Sequence, residues 1–493
     1  MDSEFNSRAY EHLFQSLPDL GQEAPPLGPQ PLSWEHDTAT SICLVAILSL
    51  TAAANLIFFM PRAVSAREGL NGTAGTALNG ATAASGLMKG RVDTLALTGL
   101  RGFAALHVAV GHYASASPLH VDLIGGASMS FFYLLSGFVM TLGYAKDLLA
   151  VAGILLFAQD DSSNFRDFNK KRFWRNRFAR LFPMYMLTNV AIFLVMHYLG
   201  DNAMEGMSSG KFDMNLVFTI LGLNMWIYPL DAWLPQTQQI ELPSNLVTWT
   251  VQTMAVFYLI FPSMLPWLKA VRRRKLTVHL LFWLQATTFM AIVCLGLFGI
   301  DNFNWAYWTA RAWPLSRVPV FAMGCLAAVE RLHGGGNFTP FCCRGDAQAG
   351  DYGRRATILG FSYILLLALA VGINQVPLTD RYWMSVREAM VRSSWEAFVP
   401  LLFIDLILAL THCGDSGILA RACRSKPMEW MGEIAMSFYM IHFGLLMTVL
   451  MGTKIGYAEV PWWLLFSCFA GALLAGWLLT RFVEDPSRKC LRG

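Results

Sequence analysis

Charged residues are scarce in this chain. Only 14% of its 493 residues are Asp, Glu, Lys or Arg, whereas 55% are hydrophobic. An ordinary globular domain carries about 25% charged residues. So few charges exclude an ordinary soluble protein, and the apolar surplus must face lipid instead of water. The net charge of +4 is too small to indicate a nucleic-acid partner.

The cysteines lack the spacing of a disulfide framework or of a zinc site. There are nine, scattered along the chain, and only Cys342 and Cys343 lie close together. Structural zinc sites draw on closely spaced Cys and His pairs of the Cys-x-x-Cys type, which do not occur here. We therefore expect no bound metal and no tightly bound cofactor.

Long apolar runs bounded by charged residues predict an all-α polytopic membrane protein. Runs of about 20 apolar residues are long enough to cross a bilayer. Eleven such runs cover residues 41–59, 103–120, 126–144, 182–199, 249–268, 278–299, 313–329, 357–374, 394–412, 431–450 and 461–480. A further run at 215–228 is short for a crossing, so we predict an interfacial or re-entrant helix there.

The distribution of Lys and Arg predicts the orientation of these helices. Cytoplasmic loops are enriched in basic residues. Of the 37 Lys and Arg residues, 29 fall in alternate segments, namely 60–101, 145–181, 269–277, 330–356, 413–430 and 481–493. This split predicts a core of ten helices that begins and ends on the cytoplasmic side of the membrane. One additional N-terminal transmembrane helix precedes this core.

The N-terminal region divides into three predicted segments. Residues 1–40 carry seven acidic residues against Arg8 alone, as expected of a lumenal or extracytoplasmic tail. The helix at 41–59 begins too deep for an ordinary signal peptide, so we interpret it as a retained anchor. Residues 60–94 include a stretch rich in Gly, Ala, Thr and Asn, which predicts a flexible cytoplasmic linker.

The first core helix carries two ionisable residues that lipid alone would not tolerate. Arg101 and His112 are 11 residues apart, which is close to three helical turns and about 16 Å along the axis. They therefore share one face, with Arg101 at the cytoplasmic boundary and His112 deep in the membrane. Intramembrane ionisable residues tend to line pathways or sites, so the pair suggests the two ends of one long substrate. The alternative is that Arg101 snorkels to the membrane surface and that His112 is a hydrogen-bonded core residue. His107 lies on another face of the helix, and we favour a structural role for it.

Ser136 and Gly137 form a small pair inside a bulky apolar helix. Small residues let membrane helices approach closely, so packing is the favoured interpretation of this pair.

A basic cluster with interleaved aromatic residues occupies the predicted loop before the 182–199 helix, where Pro183 marks a helix start. It includes Arg172, Arg177 and Arg180. Positive-inside topology accounts for part of this charge. The cluster holds more basic residues than orientation requires, and closely spaced guanidinium groups suit bidentate phosphate binding.

Seven motifs follow one another along the chain: RGFAALHVAVGH, SFFYLLSGF, RNRFARLFPMY, WTVQTMAVFYLIFP, RVPVFAMG, MGEIAMSFYMIH and FVEDPSR. In their order and approximate spacing the chain resembles, over about residues 95–490, the acyltransferase-3 family of integral membrane O-acyltransferases. The resemblance implies a ten-helix membrane domain that moves an acyl group from cytoplasmic acyl-CoA to a hydroxyl of a carbohydrate or lipid. The family's Arg and His match Arg101 and His112, and its Arg-x-x-Arg pair matches Arg177 and Arg180.

The resemblance and the helix geometry together suggest a mechanism of O-acylation, with acetyl-CoA as the expected co-substrate. His112 would act as the base for the alcohol proton, because imidazole titrates near neutral pH. Arg172, Arg177 and Arg180 would hold the donor phosphates, and Arg101 the phosphate or pantetheine end. A covalent acyl-enzyme intermediate stays open. Four further motif residues are candidates for a substrate channel: Ser136, Trp249, Tyr258 and His442.

Two positions depart from the family pattern, which leaves other functions open. Met254 and Val320 stand where acidic residues are usual, so an acceptor contact or proton relay differs here. One alternative is a transporter or channel with a path through His112, Asp405, Glu433 and His442; another is a catalytically degenerate membrane scaffold. We expect a multi-pass protein of the plasma membrane or of an endomembrane such as the ER or Golgi.

Overall fold

The computed structural model describes residues 92–144, 169–199, 216–228, 245–297, 303–333, 338, 348–376, 381–457 and 459–492. The predicted tail at 1–40, the additional helix at 41–59 and the linker as far as residue 91 lie outside the described residues. Within the described part of the chain all regular structure is helical, which confirms the all-α class.

The described residues form ten helices of at least 18 residues and four shorter ones. In chain order they are α1 Leu95–Ala116, α2 Gly126–Gly143, α3 Lys170–Leu199, α4 Asn224–Ile227, α5 Trp249–Ala270, α6 Arg274–Leu297, α7 Phe303–Ala312, α8 Pro314–Leu332, α9 Ala349–Asn374, α10 Arg381–His412, α11 Ile418–Cys423, α12 Lys426–Thr453, α13 Trp462–Leu479 and α14 Asp485–Arg492. A π-helical turn, Thr480–Glu484, joins α13 to α14. Each predicted core span overlaps one long helix.

Eight of these helices are long and apolar enough to cross a membrane. The exposed face of α9 shows why lipid must surround the bundle. Ile358, Phe361 and Leu365 on this helix are each at least 60% exposed. Such an apolar face on a soluble protein would be an aggregation hazard, whereas in a bilayer it contacts acyl chains.

The basic cluster is helical, so the prediction of a loop that ends at Pro183 is wrong. The helix α3 begins at Lys170 and contains Pro183 in its interior. The Asn169 side chain accepts the backbone N–H of Arg172 at 2.9 Å and so caps the first turn. The buried Phe173 ring stacks on Phe261 at a centroid distance of 5.4 Å. This packing anchors the first turns of α3. The helix continues through Pro183, although the proline removes one backbone hydrogen bond.

The short apolar run at 215–228 is described from residue 216 onward. This part consists of a helical piece at 216–221 and of α4, separated by Gly222 at φ +69°. Gln252 on α5 donates to Asn224 Oδ1 at 3.0 Å and accepts the backbone N–H of Met225 at 3.1 Å. The interfacial or re-entrant helix stays a prediction, because the residues before 216 lie outside the described residues.

Helices α2 and α8 approach each other at two reciprocal glycines. A Cβ on Gly137 would lie 2.2 Å from the carbonyl oxygen of Phe321, and a Cβ on Gly324 would lie 2.0 Å from that of Leu134. Both distances are far below contact. The packing interpretation of the Ser136-Gly137 pair is therefore confirmed for Gly137.

We expect Gly137→Ala to destabilise the bundle by about 1–3 kcal/mol, because the added methyl forces the backbones of α2 and α8 apart. Gly143→Ala, in the same helix, is the matched control, since a Cβ there meets nothing within 4 Å. Thermal unfolding in detergent measures the difference. Equal midpoints for the two variants would contradict the close packing.

Candidate active site

His112 lies one turn before the end of α1 and faces His442 on α12. The two imidazole centroids are 5.4 Å apart, and the ring of Phe443 lies 4.7 Å from that of His112. The two helices meet closely at Gly432, where a Cβ would lie 2.0 Å from the carbonyl oxygen of Thr98. This close packing brings together two histidines that are 330 positions apart in the sequence.

His442 is fully buried, and its hydrogen bonds define its tautomer. Its Nδ1 lies 2.7 Å from the carbonyl oxygen of Tyr439. Because a carbonyl oxygen only accepts, Nδ1 carries the proton and Nε2 bears a lone pair. This Nε2 has no hydrogen-bond partner among the described residues. The backbone of the same turn is held by the hydroxyl of Tyr113, which donates to the carbonyl of His442 at 3.0 Å.

A buried carboxylate and two arginines form a charged cluster that the sequence analysis missed. Glu396 on α10 is fully buried, with Oε1 3.4 Å from Arg311 Nε and Oε2 3.1 Å from Arg317 Nη1. Ser130 donates to Oε2 at 3.1 Å. An acidic residue inside the predicted 394–412 span was the signal that could have revealed it, since intramembrane carboxylates are expensive without partners.

Arg311 has the most exposed side chain of this cluster. Its side chain is 13% exposed, whereas those of Glu396 and Arg317 are fully buried. Its guanidinium carbon lies 5.4 Å from the ring centroid of Trp249 and 4.6 Å from that of Trp308. Trp249 thus contacts the most exposed arginine of this cluster. Its place in a substrate channel stays a prediction.

Arg101, three turns from His112, links α1 to α12. Its Nε donates to the carbonyl oxygen of Gly432 at 2.9 Å, and its Nη2 donates to the same oxygen. Arg101 is thus part of the interface between α1 and α12, in a region that carries charges of both signs, from Arg180, Arg488, Glu484 and Glu433.

The predicted phosphate-binding arginines lie on the first turns of α3. The guanidinium carbon of Arg177 lies 5.4 Å from the Phe173 centroid and 5.6 Å from that of Tyr258. Its Nε has no hydrogen-bond partner among the described residues. Arg180 is partly buried and Arg172 is exposed. These contacts hold the Arg177 fork in a defined plane.

The predicted site residues thus fall into two groups at different depths. The group around the arginines comprises Arg101, Arg172, Arg177, Arg180 and Tyr258. The group around the histidines comprises His112 and His442, and Trp249 contacts Arg311 of the charged cluster. Ser136 belongs to the packing of α2, where its hydroxyl lies 3.6 Å from Met140 Sδ.

His107 is structural, in agreement with the favoured interpretation. Its Nδ1 lies 2.8 Å from Ser128 Oγ and its Nε2 lies 2.8 Å from the carbonyl oxygen of Leu123. Both ring nitrogens are therefore engaged, and neither is available to a substrate.

Two residues that the transporter alternative required are not parts of a buried proton path. Asp405 is 2.7 Å from Arg355 Nη2 and accepts the backbone N–H of Phe338 at 2.8 Å. Glu433 is exposed on the outside of α12. Asp405 is a paired structural carboxylate, and Glu433 does not reach the histidine pair.

Fold and site together define a multi-pass membrane protein with an intramembrane histidine pair and a separate arginine cluster. A family model described as an acyltransferase domain matches residues 94–481, so the chain belongs to the acyltransferase-3 family and is a membrane acyltransferase. It is 28% identical over 424 residues to the acyltransferase MdmB of Streptomyces mycarofaciens, a match that covers 80% of this chain and 92% of that protein. No solved structure matches it significantly.

Proposed function

We propose that this membrane acyltransferase moves an acetyl or other short acyl group from cytoplasmic acyl-CoA to a hydroxyl of a carbohydrate, lipid or other small-molecule acceptor. One observation carries the proposal. The arginine group and the histidine group lie at two depths along α1, with Arg101 and His112 about 16 Å apart. A donor with anionic phosphates at one end and a thioester at the other needs two sites so separated.

The arginine group supplies what the phosphates of acyl-CoA require. Arg177 has an unpaired Nε, and its guanidinium lies against the rings of Phe173 and Tyr258. A planar fork held in this way matches two phosphate oxygens at once. Arg180 lies one turn further along α3, and its charge acts on Arg101. The three guanidinium groups therefore form one electropositive region beside the cytoplasmic end of α1.

The histidine group supplies the base. The acceptor oxygen attacks the thioester carbonyl carbon, the new C–O bond forms, and the C–S bond breaks. His112 takes the hydroxyl proton, and that proton then goes to the departing thiolate to give free CoA. An alcohol is a poor nucleophile near neutral pH without such a base. The positive charge of Arg311, whose side chain is the most exposed of the charged cluster, would favour the negative charge that develops on the carbonyl oxygen.

The donor proposal predicts the behaviour of the double variant Arg177→Ala with Arg180→Ala. Loss of two charge-assisted phosphate contacts should raise the KM for acetyl-CoA about 10- to 100-fold. The remaining affinity should also fall more gently with added salt, because fewer ion contacts are left to screen. Replacement of both by Lys should restore only part of the affinity, since an ammonium lacks the bidentate fork. Arg354→Ala is the control, because Arg354 is 80% exposed and pairs with Asp351 one turn earlier on the same helix.

Radiolabelled acetyl-CoA tests the reaction itself. Purified protein in lipid vesicles is mixed with labelled donor and with extracts of membrane lipids or carbohydrates, and label transfer and CoA release are measured together. We expect both signals with the wild-type protein. An unchanged KM for acetyl-CoA in the double arginine variant would mean that the basic cluster only sets the orientation of the helices in the membrane. Absence of CoA release with every extract would contradict the acyl-CoA donor.

A further inference from the structure

We propose that His442 is a positioning residue for acyl transfer: its Nε2 accepts a hydrogen bond from a ring N–H of His112 and so leaves the other nitrogen of His112 free for the alcohol proton. This inference rests on the proposed role of His112 as the base. It gives His442 a task other than lining a channel.

The first argument is the unpaired lone pair on a fully buried ring. The bond from Nδ1 to the Tyr439 carbonyl makes Nε2 an acceptor, and Nε2 has no partner among the described residues. A buried polar atom without a partner destabilises the folded protein, because it loses its hydrogen bonds to water without replacing them. Such atoms are rare in folded proteins and call for an explanation in the working state of the molecule.

The second argument is the surroundings of that ring. The ring of Phe438 stacks on His442 at 5.8 Å. The hydroxyl of Tyr439 is engaged with the Val247 carbonyl at 3.0 Å and with Thr250 Oγ1 at 3.1 Å. The third ring in contact with His442 is the imidazole of His112. The nitrogens of the His112 ring make no hydrogen bond to any described residue.

The third argument is distance. Two imidazoles joined by a linear N–H···N bond of about 2.9 Å have ring centroids about 5.2 Å apart. The observed centroid distance between His112 and His442 is 5.4 Å, with the planes tilted by 39°. The observed separation of the two rings is therefore compatible with such a bond once the His112 ring turns its N–H toward Nε2 of His442.

The consequence for catalysis is a chain of three groups. Tyr439 fixes the tautomer of His442, His442 fixes the tautomer of His112, and His112 faces the acceptor hydroxyl. A base oriented by a third group is the arrangement that activates weak nucleophiles in other acyl-transfer sites. When His112 becomes protonated, the neutral Nε2 of His442 also accepts a stronger, charge-assisted hydrogen bond.

Two replacements separate this role from packing. In His442→Asn the side-chain amide can still donate to the Tyr439 carbonyl, but no atom lies at the Nε2 position. In His442→Gln the longer side chain brings an amide oxygen close to the Nε2 position. We expect His442→Asn to lower kcat about 10- to 100-fold, the range that orienting partners of histidine contribute at metal sites. His442→Gln should recover most of that loss, with the KM for acetyl-CoA unchanged in both.

The variant His112→Gln, alone and combined with His442→Asn, completes the experiment. If His442 acts only through His112, the double variant has the same residual rate as His112→Gln alone. Wild-type kcat in His442→Asn, a rise in KM alone, or equal losses in Asn and Gln variants with lowered thermal stability would each overturn the proposal. Full activity of His112→Gln would overturn the proposed base itself, and this inference with it. A large loss in His112→Gln beside an active His442→Asn would overturn the inference alone.

Discussion

Replacement of His112 by Gln should lower kcat for acyl transfer on the order of 100- to 10,000-fold, the usual contribution of general-base catalysis. Glutamine has a similar size and polarity but cannot take the alcohol proton. The KM for acetyl-CoA should change little, because the arginine group that we propose for the donor phosphates lies about 16 Å away along α1. Release of CoA and transfer of labelled acetyl groups measure the effect in detergent or vesicles.

His107→Gln is the matched control, since His107 is on the same helix five residues earlier. Its partners, Ser128 and the Leu123 carbonyl, are structural, so a change there should affect stability more than rate. A His112→Gln protein that folds and transfers acyl groups at the wild-type rate would exclude His112 as the base. Equal losses of rate in both variants would point to general disruption of α1.

The helices could be predicted from the sequence because lipid imposes a simple rule. Each spanning segment must satisfy its backbone hydrogen bonds internally and present apolar side chains to the lipid. The sequence therefore contains long apolar runs, such as the one that forms α9. The relation of Arg101 to His112 was equally accessible, because it depends only on the rise of a single helix. These features are local, and local periodicity determines them.

The contacts across the bundle could not be predicted, because they depend on which helices pack together. Nothing in the sequence near His442 indicates that its ring meets His112. The pairing of Glu396 with Arg311 and Arg317 joins three helices, and no spacing rule connects them. The start of α3 was also missed, because the predicted loop was defined by charge, whereas the buried Phe173 sustains a helix there.

The position of Glu396 bears on the two carboxylates that the family pattern leads one to expect. Val320, where one of them is usual, is fully buried on α8, one turn from Arg317. In this chain Arg317 pairs instead with Glu396 from α10. The bundle therefore has an intramembrane carboxylate on a different helix, and that carboxylate also pairs with Arg311.

Glu396→Gln should destabilise the folded protein by about 3–5 kcal/mol, the usual effect of removing one member of a buried ion pair. The replacement keeps the shape of the side chain and removes its charge. Arg311 and Arg317 would then lie 3.4 and 3.1 Å from a neutral amide, with no counter-charge from position 396. Thermal unfolding in detergent should show a large drop in the midpoint.

Glu429→Gln is the control for this effect, because Glu429 pairs at 3.2 Å with Lys426, which is 92% exposed. A surface pair of this kind contributes less than about 1 kcal/mol. The second arm adds Arg317→Met to Glu396→Gln, which removes one of the two uncompensated cations and should restore part of the lost stability. Activity should not return with stability, because Arg311, which we propose to favour the charge on the carbonyl oxygen, would still lack its carboxylate partner. Wild-type stability in Glu396→Gln, or full recovery of kcat in the double variant, would contradict this account of the cluster.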